Sequence, residues 1–178
     1  MKIPFVILLA LLLPFSSMQD ELEDKNTVAS FKAAFLFQFA VSNNWEDNGG
    51  QAEFTIGVVG EESVFNELID KYATKPVGSQ SLALRLLENE KDLEGIQMLY
   101  ISNAFFREYG LDEVKKWINA VGEEPILIVT DQPDGLTIGS AINFKVVDSR
   151  IRYEVNAAQA KKYGVTLGSK IISWAIQD

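Results

Sequence analysis

Gly139-Ser140-Ala141-Ile142-Asn143-Phe144-Lys145-Val146-Val147-Asp148-Ser149-Arg150-Ile151-Arg152-Tyr153-Glu154-Val155 is the stretch on which the fold turns. Two runs rich in β-branched and aromatic residues flank a two-residue Asp-Ser turn, which predicts an antiparallel hairpin. Asn156 then opens an alanine-rich helix, because its side-chain oxygen can accept an orphan amide proton of the first turn. Gly164 suits the left-handed position just past the end of that helix. Ser169 is placed to cap a last helix that ends near Trp174-Ala175. The block therefore predicts strand, strand, helix, helix.

Working back from this block, apolar strands alternate with helices. Phe54 to Val59 predicts a buried strand, and Gly60 ends it. Glu61 to Ala73 follows as an amphipathic helix with Val64, Phe65, Leu68, Ile69 and Tyr72 on one face. A strand that feeds a helix through one glycine suggests a βαβ unit. Leu82 to Leu87 and Gln97 to Ser102 predict the second and third strands, joined by a charged surface connection. Asn103 is expected to cap a helical region that runs to Val121 and breaks near Gly110. Pro125 to Thr130 predicts a fourth strand, and Asp131 to Gly139 a turn-rich loop. The fold class that follows is α/β: one layered domain, a mostly parallel central sheet flanked by helices, and a C-terminal antiparallel hairpin.

Thr27 to Val41 is apolar nearly all round, with only Ser30, Lys32 and Gln38 clearly polar after Thr27. Such a helix must be covered on more than one side. Most of it is expected in the core. One aromatic face, drawn from Phe31, Phe35, Phe37 and Phe39, is a candidate surface for a partner or a second copy.

The chain has 178 residues and a formal charge of −9, with neither cysteine nor histidine. The absences exclude Ser-His-Asp hydrolysis, cysteine nucleophiles, and zinc sites built on thiolate or imidazole. No cysteine is present to carry a lipoprotein anchor. Scattered lysines and arginines in an acidic chain speak against nucleic acid as a partner. Met1-Lys2, the apolar run Ile3 to Leu13 and Pro14-Phe15-Ser16-Ser17 read as a secretory signal peptide over residues 1–19. The run is short of the roughly 20 residues that span a bilayer. Residues 20–26, polar and acidic, are expected to be a flexible lead, and residues 27–178 the folded domain.

Two places could be taken for chemistry. Gly57-Val58-Val59-Gly60 lacks dinucleotide-binding spacing, and Glu61-Glu62 would oppose a phosphate at the helix start. The simpler reading is a tight turn and a helix start favoured by the dipole. Asp131, Gln132 and Asp134 follow a strand end, where ligands of parallel α/β sheets bind. They are the candidate small-ligand loop, although solvated turn residues are the simpler account. Arg152 and Glu154 share a strand face and could pair. No catalytic constellation, metal set or cofactor motif stands out, so no enzyme, metal or cofactor is expected.

Several motifs taken together resemble the YfiR-like family. They are Phe31-Lys32-Ala33-Ala34-Phe35-Leu36-Phe37-Gln38-Phe39 with Trp45 soon after, Phe54 to Gly60, and Gln97 to Ser102. They continue with Ile126 to Asp131 followed by Gly135 and Gly139, then Asn143-Phe144, Arg152-Tyr153-Glu154-Val155-Asn156-Ala157-Ala158, and Gly168-Ser169-Lys170-Ile171-Ile172. The resemblance implies a periplasmic, non-enzymatic regulator and a homodimer. It implies a partner, too: an inner-membrane signalling protein, either a diguanylate cyclase or a sensor kinase. Many members resembling this chain carry a cysteine in each of the first two of those strands. Gly57 and Ile96 stand there instead, so that disulfide and any redox control through it are absent.

Overall fold

The computed structural model describes residues 15–45 and 51–176, with side chains described from Lys25 onward. In chain order the elements are α1 (Phe15–Ser42), β1 (Asn44–Trp45), β2 (Glu53–Val59), α2 (Glu62–Tyr72), β3 (Ser81–Leu86) and β4 (Met98–Ile101). They continue as α3 (Asn103–Tyr109), α4 (Leu111–Val121), β5 (Leu127–Thr130), β6 (Ile142–Val147), β7 (Arg150–Val155), α5 (Ala157–Lys162), β8 (Val165–Thr166) and α6 (Ser169–Trp174). Most of the expected leader lies outside the described residues. Where residues 20–26 were expected as a flexible lead, the backbone is the first part of α1.

The main sheet has six strands in the order β3-β2-β4-β5-β6-β7. β2 to β6 are parallel and only β7 is antiparallel. This is the mostly parallel sheet with a terminal hairpin that the sequence predicts. The buried strands show why: Leu127 to Thr130 and Met98 to Ile101 are covered on both faces, as parallel strands between helix layers must be. The Asp148-Ser149 turn has φ of 50° and 58°, positive at both residues as a two-residue hairpin requires.

The chain leaves β2 in one direction to β3 and then crosses back to β4 and β5. Right-handed crossovers therefore put α2 on one face, beside α1, and the α3–α4 pair on the other. The reversal falls between β2 and β4. The crevice beyond the carboxyl ends of strands at such a reversal is where ligands of open α/β sheets bind.

α1 is a core helix. Ala29, Lys32, Ala33, Leu36, Phe39 and Ala40 are buried at helical spacing. Phe39 stacks with Phe144 at 5.8 Å and meets Tyr153 edge-on at 4.9 Å. Phe35 packs on the same two rings, and Phe37 stacks on Tyr72 at 4.6 Å. An aromatic face of four phenylalanines is thus not what α1 offers outward. Phe39 belongs to the core, Phe35 and Phe37 are half-buried, and Phe31 alone is open, at 55 % exposure.

Helix starts differ from expectation in two places. Ser102, not Asn103, caps α3 by accepting the Phe105 amide proton, and Gly168 stands at the start of α6 with Ser169 inside it. Asn156 caps α5 as expected, accepting from the Gln159 amide at 3.0 Å, and Gly164 follows that helix with φ 66°. Replacing Phe39 by alanine should cost about 3–5 kcal/mol of stability. Phe31→Ala should stay within about 0.5 kcal/mol of wild type. Urea unfolding of the two variants side by side measures both.

Candidate functional site

One cation governs the carboxyl edge of the sheet. Lys32 projects inward from α1, and its side chain keeps only 10 % of its exposure. Its Nζ donates to both Glu61 oxygens, at 3.1 Å and 2.9 Å, and to Asp131 Oδ2 at 2.5 Å. Glu61 stands just past β2, and Asp131 just past β5. Between them stands Tyr100, wholly buried on β4; its one hydroxyl proton is shared between Glu61 Oε2 (2.6 Å) and Asp131 Oδ2 (3.0 Å). The other Asp131 oxygen accepts the Asn103 amide at the start of α3. One lysine and two carboxylates thus join α1, the β2–α2 turn, β4, β5 and α3.

The local backbone is shaped for this. Gly60 turns with φ +75°, and a Cβ there would sit 2.4 Å from Phe105 Cβ, so only glycine lets the chain leave β2 this tightly. Glu61 then occupies the cap position of α2 without a capping hydrogen bond, because its carboxylate is turned to Lys32. Of the two acids read as a dipole-favoured helix start, only Glu62 remains in the first turn.

The Asp131–Asp134 loop is anchored from behind. Asn143 Oδ1 accepts from Thr130 Oγ1 at 2.7 Å and from the Gln132 amide at 3.1 Å. Its Nδ2 donates to Gln132 O and to Glu154 Oε1. Gly135 packs against this amide so closely that a Cβ would lie 2.2 Å from Asn143 Oδ1. The three candidate loop residues therefore separate. Asp131 is buried and ion-paired, which corrects the solvated-turn reading. Gln132 is buried, donates its side-chain Nε2 to Ile101 O, and leaves its side-chain Oε1 unpartnered among the described residues. Asp134 is an exposed turn residue with φ 55°. Glu154 pairs across the hairpin with Lys145 at 2.9 Å, not with Arg152, and Lys170 lies over the Trp174 ring.

A cleft of about 180 Å³ opens beside the cluster, lined by Lys32, Glu61 and Asp131 with Arg107, Lys145 and Val146. Among the described residues, no group of three or more acidic residues is arranged to hold a metal ion. The sequence reading missed Lys32, Glu61 and Tyr100. The signal was present: Lys32 is a lone cation in a helix apolar nearly all round, and such a charge needs a buried counter-charge.

Burial acts to lower the Lys32 pKa, but Asp131 and Glu61 outweigh it, and the net displacement is upward from 10.5. Burial raises Asp131, with Lys32 offsetting part of it, and the net displacement is again upward. Burial, then the two carboxylates, holds Tyr100 well above its usual value. In each case the folded chain holds its proton more tightly than the unfolded chain does. The Lys32 contribution to stability is therefore complete below pH 10.5 and lost as pH rises through its higher folded value.

The topology places the chain in a class: a doubly wound α/β domain in which five parallel strands follow the flavodoxin-like order and one antiparallel strand is added at the edge. Its membership is more particular. The YfiR/HmsC-like family model matches residues 29–176, and the chain belongs to that family, whose members are periplasmic regulatory proteins that work through protein–protein contact. A search of curated proteins finds no match.

Lys32→Met should cost about 3–5 kcal/mol at neutral pH, because it strands the buried Asp131 carboxylate beside the part-buried Glu61. Adding Asp131→Asn should recover part of that loss. In the wild type, thermal melts across pH should hold level near neutrality and fall above about pH 10.5.

Proposed function

We propose that this chain is a non-enzymatic regulator in the periplasm that binds the periplasmic region of an inner-membrane signalling protein, a diguanylate cyclase or a sensor kinase, and controls its activity. The observation that carries this reading is the family match across residues 29–176. Two structural features favour it. The Lys32, Glu61 and Asp131 charges at the carboxyl edge are tied to one another, where a catalytic site would hold a nucleophile and its base within reach. Phe31 is also exposed on a helix whose other face is buried in the core, as an interface anchor would be. Regulation would follow from unequal affinity: a protein that binds one state of its partner more tightly shifts the partner toward that state.

A second reading, a small-ligand domain, has one observation in its favour: the cleft of about 180 Å³ beside Asp131 lies at the end of the sheet where such ligands bind. A ligand there would compete with Lys32 for the carboxylates.

Crosslinking in the native host, followed by purification on the tagged chain, separates the two. The regulator reading expects an inner-membrane cyclase or kinase, with capture reduced roughly tenfold or more by Phe31→Ser. Recovery of no membrane protein, together with a thermal shift from one member of a metabolite panel, would overturn it in favour of the ligand reading.

A further inference from the structure

A cleft of about 480 Å³ opens at the other edge of the sheet, where β4 and β5 begin. Four segments distant in sequence meet there: Trp45 from β1, Leu93 to Gln97 ahead of β4, Glu124 to Ile126 ahead of β5, and Gly164 ahead of β8. Leu93, Ile96 and Ile126 are buried and give the cleft an apolar floor. Trp45 is a fixed wall. Its indole N–H donates to Ala40 O at 3.0 Å, and its ring meets Phe54 edge-on at 4.8 Å. The indole is only half-buried, so part of it stays open to the cleft it lines.

The rim carries one sign of charge. Glu94 and Glu124 are exposed and come from two different connections, and no lysine or arginine stands among the described residues that line the cleft. Neither carboxylate has an ion pair among the described residues. Two acids on a chain of charge −9 would ordinarily be solvated surface. What sets these apart is what they surround: an apolar floor, an indole wall, and a volume of the size that takes a small organic molecule. At the carboxyl edge Lys32 already occupies the carboxylates, and the cleft there is only about 180 Å³. At the amino edge no internal cation competes.

Each simpler occupant leaves part of this lining unused. An anion would be repelled by the rim. A neutral apolar molecule would gain nothing from the two carboxylates. A bare metal ion would gain nothing from the indole and the floor, and among the described residues no group of three or more acids is arranged to hold one. An ammonium on an apolar or aromatic body uses every part. Its charge lies beside Glu94 and Glu124, the indole attracts it, and its body covers Leu93, Ile96 and Ile126. We infer that this amino-edge cleft is a binding site for a small organic cation, an ammonium carried on an apolar body. The inference rests on neither the regulatory reading nor a ligand beside Asp131, since the site lies at the opposite edge of the sheet.

The test is an NMR titration of the isotope-labelled full chain with benzylammonium, with benzyl alcohol as its uncharged counterpart. Benzylammonium should saturably shift the Trp45 indole N–H and the Gly95 amide. It should bind roughly tenfold more tightly than benzyl alcohol, and its affinity should fall as salt rises. Glu94→Gln with Glu124→Gln should remove that tenfold advantage and leave benzyl alcohol unchanged. Both residues are exposed, so the variant should keep the wild-type melting curve. Equal affinity for the two probes, or a double variant that binds benzylammonium as wild type does, would overturn the inference. So would shifts confined to Tyr100 and Asp131, or no saturation at all. Saturation by uncharged N-acetylglucosamine in place of benzylammonium would overturn it in favour of a carbohydrate site.

Discussion

The interaction on which the structure depends is the buried pairing of Lys32 with Glu61 and Asp131. Apolar packing alone would leave α1 free to settle in several rotations, because nearly every side of it is greasy. A buried cation removes that freedom. Lys32 must meet the two carboxylates beyond β2 and β5, since an unpaired charge there would cost several kcal/mol. With Lys32 turned inward, the helical repeat sends Phe39 into the core and leaves Phe31 outside. The same two carboxylates hold Tyr100 and the start of α3, so one cluster sets the carboxyl edge of the sheet.

Much of the fold was legible in the sequence, and the reason is periodicity. Buried parallel strands are continuous apolar runs, and Phe54 to Val59, Gln97 to Ser102 and Pro125 to Thr130 declared themselves that way. The Asp148-Ser149 hairpin and the Asn156 cap were local, so local chemistry named them. The cap of α3 was misplaced by one residue because Ser102 and Asn103 are both good caps, and only the backbone path chooses between them.

The candidate site was far less legible, because it is assembled from distant parts of the chain. Lys32 and Asp131 are 99 residues apart, and nothing local in either segment announces the other. Asp131 was read as part of a candidate ligand loop, with a solvated turn as the simpler account, since a carboxylate after a strand is usually solvated. Phe31, Phe35, Phe37 and Phe39 looked alike in sequence, and packing against Phe144, Tyr153 and Tyr72 is what separated them.

Family membership, a helix ion-paired to the strand ends and a charge cluster turned upon itself fit a protein that works by presenting surfaces. That account stands on α1 being an integral layer of the domain, held by Lys32. Hydrogen exchange of the α1 amides, read in wild type and in Lys32→Met under conditions where both stay folded, tests it most directly. The account predicts that residues 29–40 exchange as slowly as β4 and β5 in wild type and become selectively faster in the variant. Fast exchange of α1 in wild type over a protected sheet, or no change on losing Lys32, would contradict it.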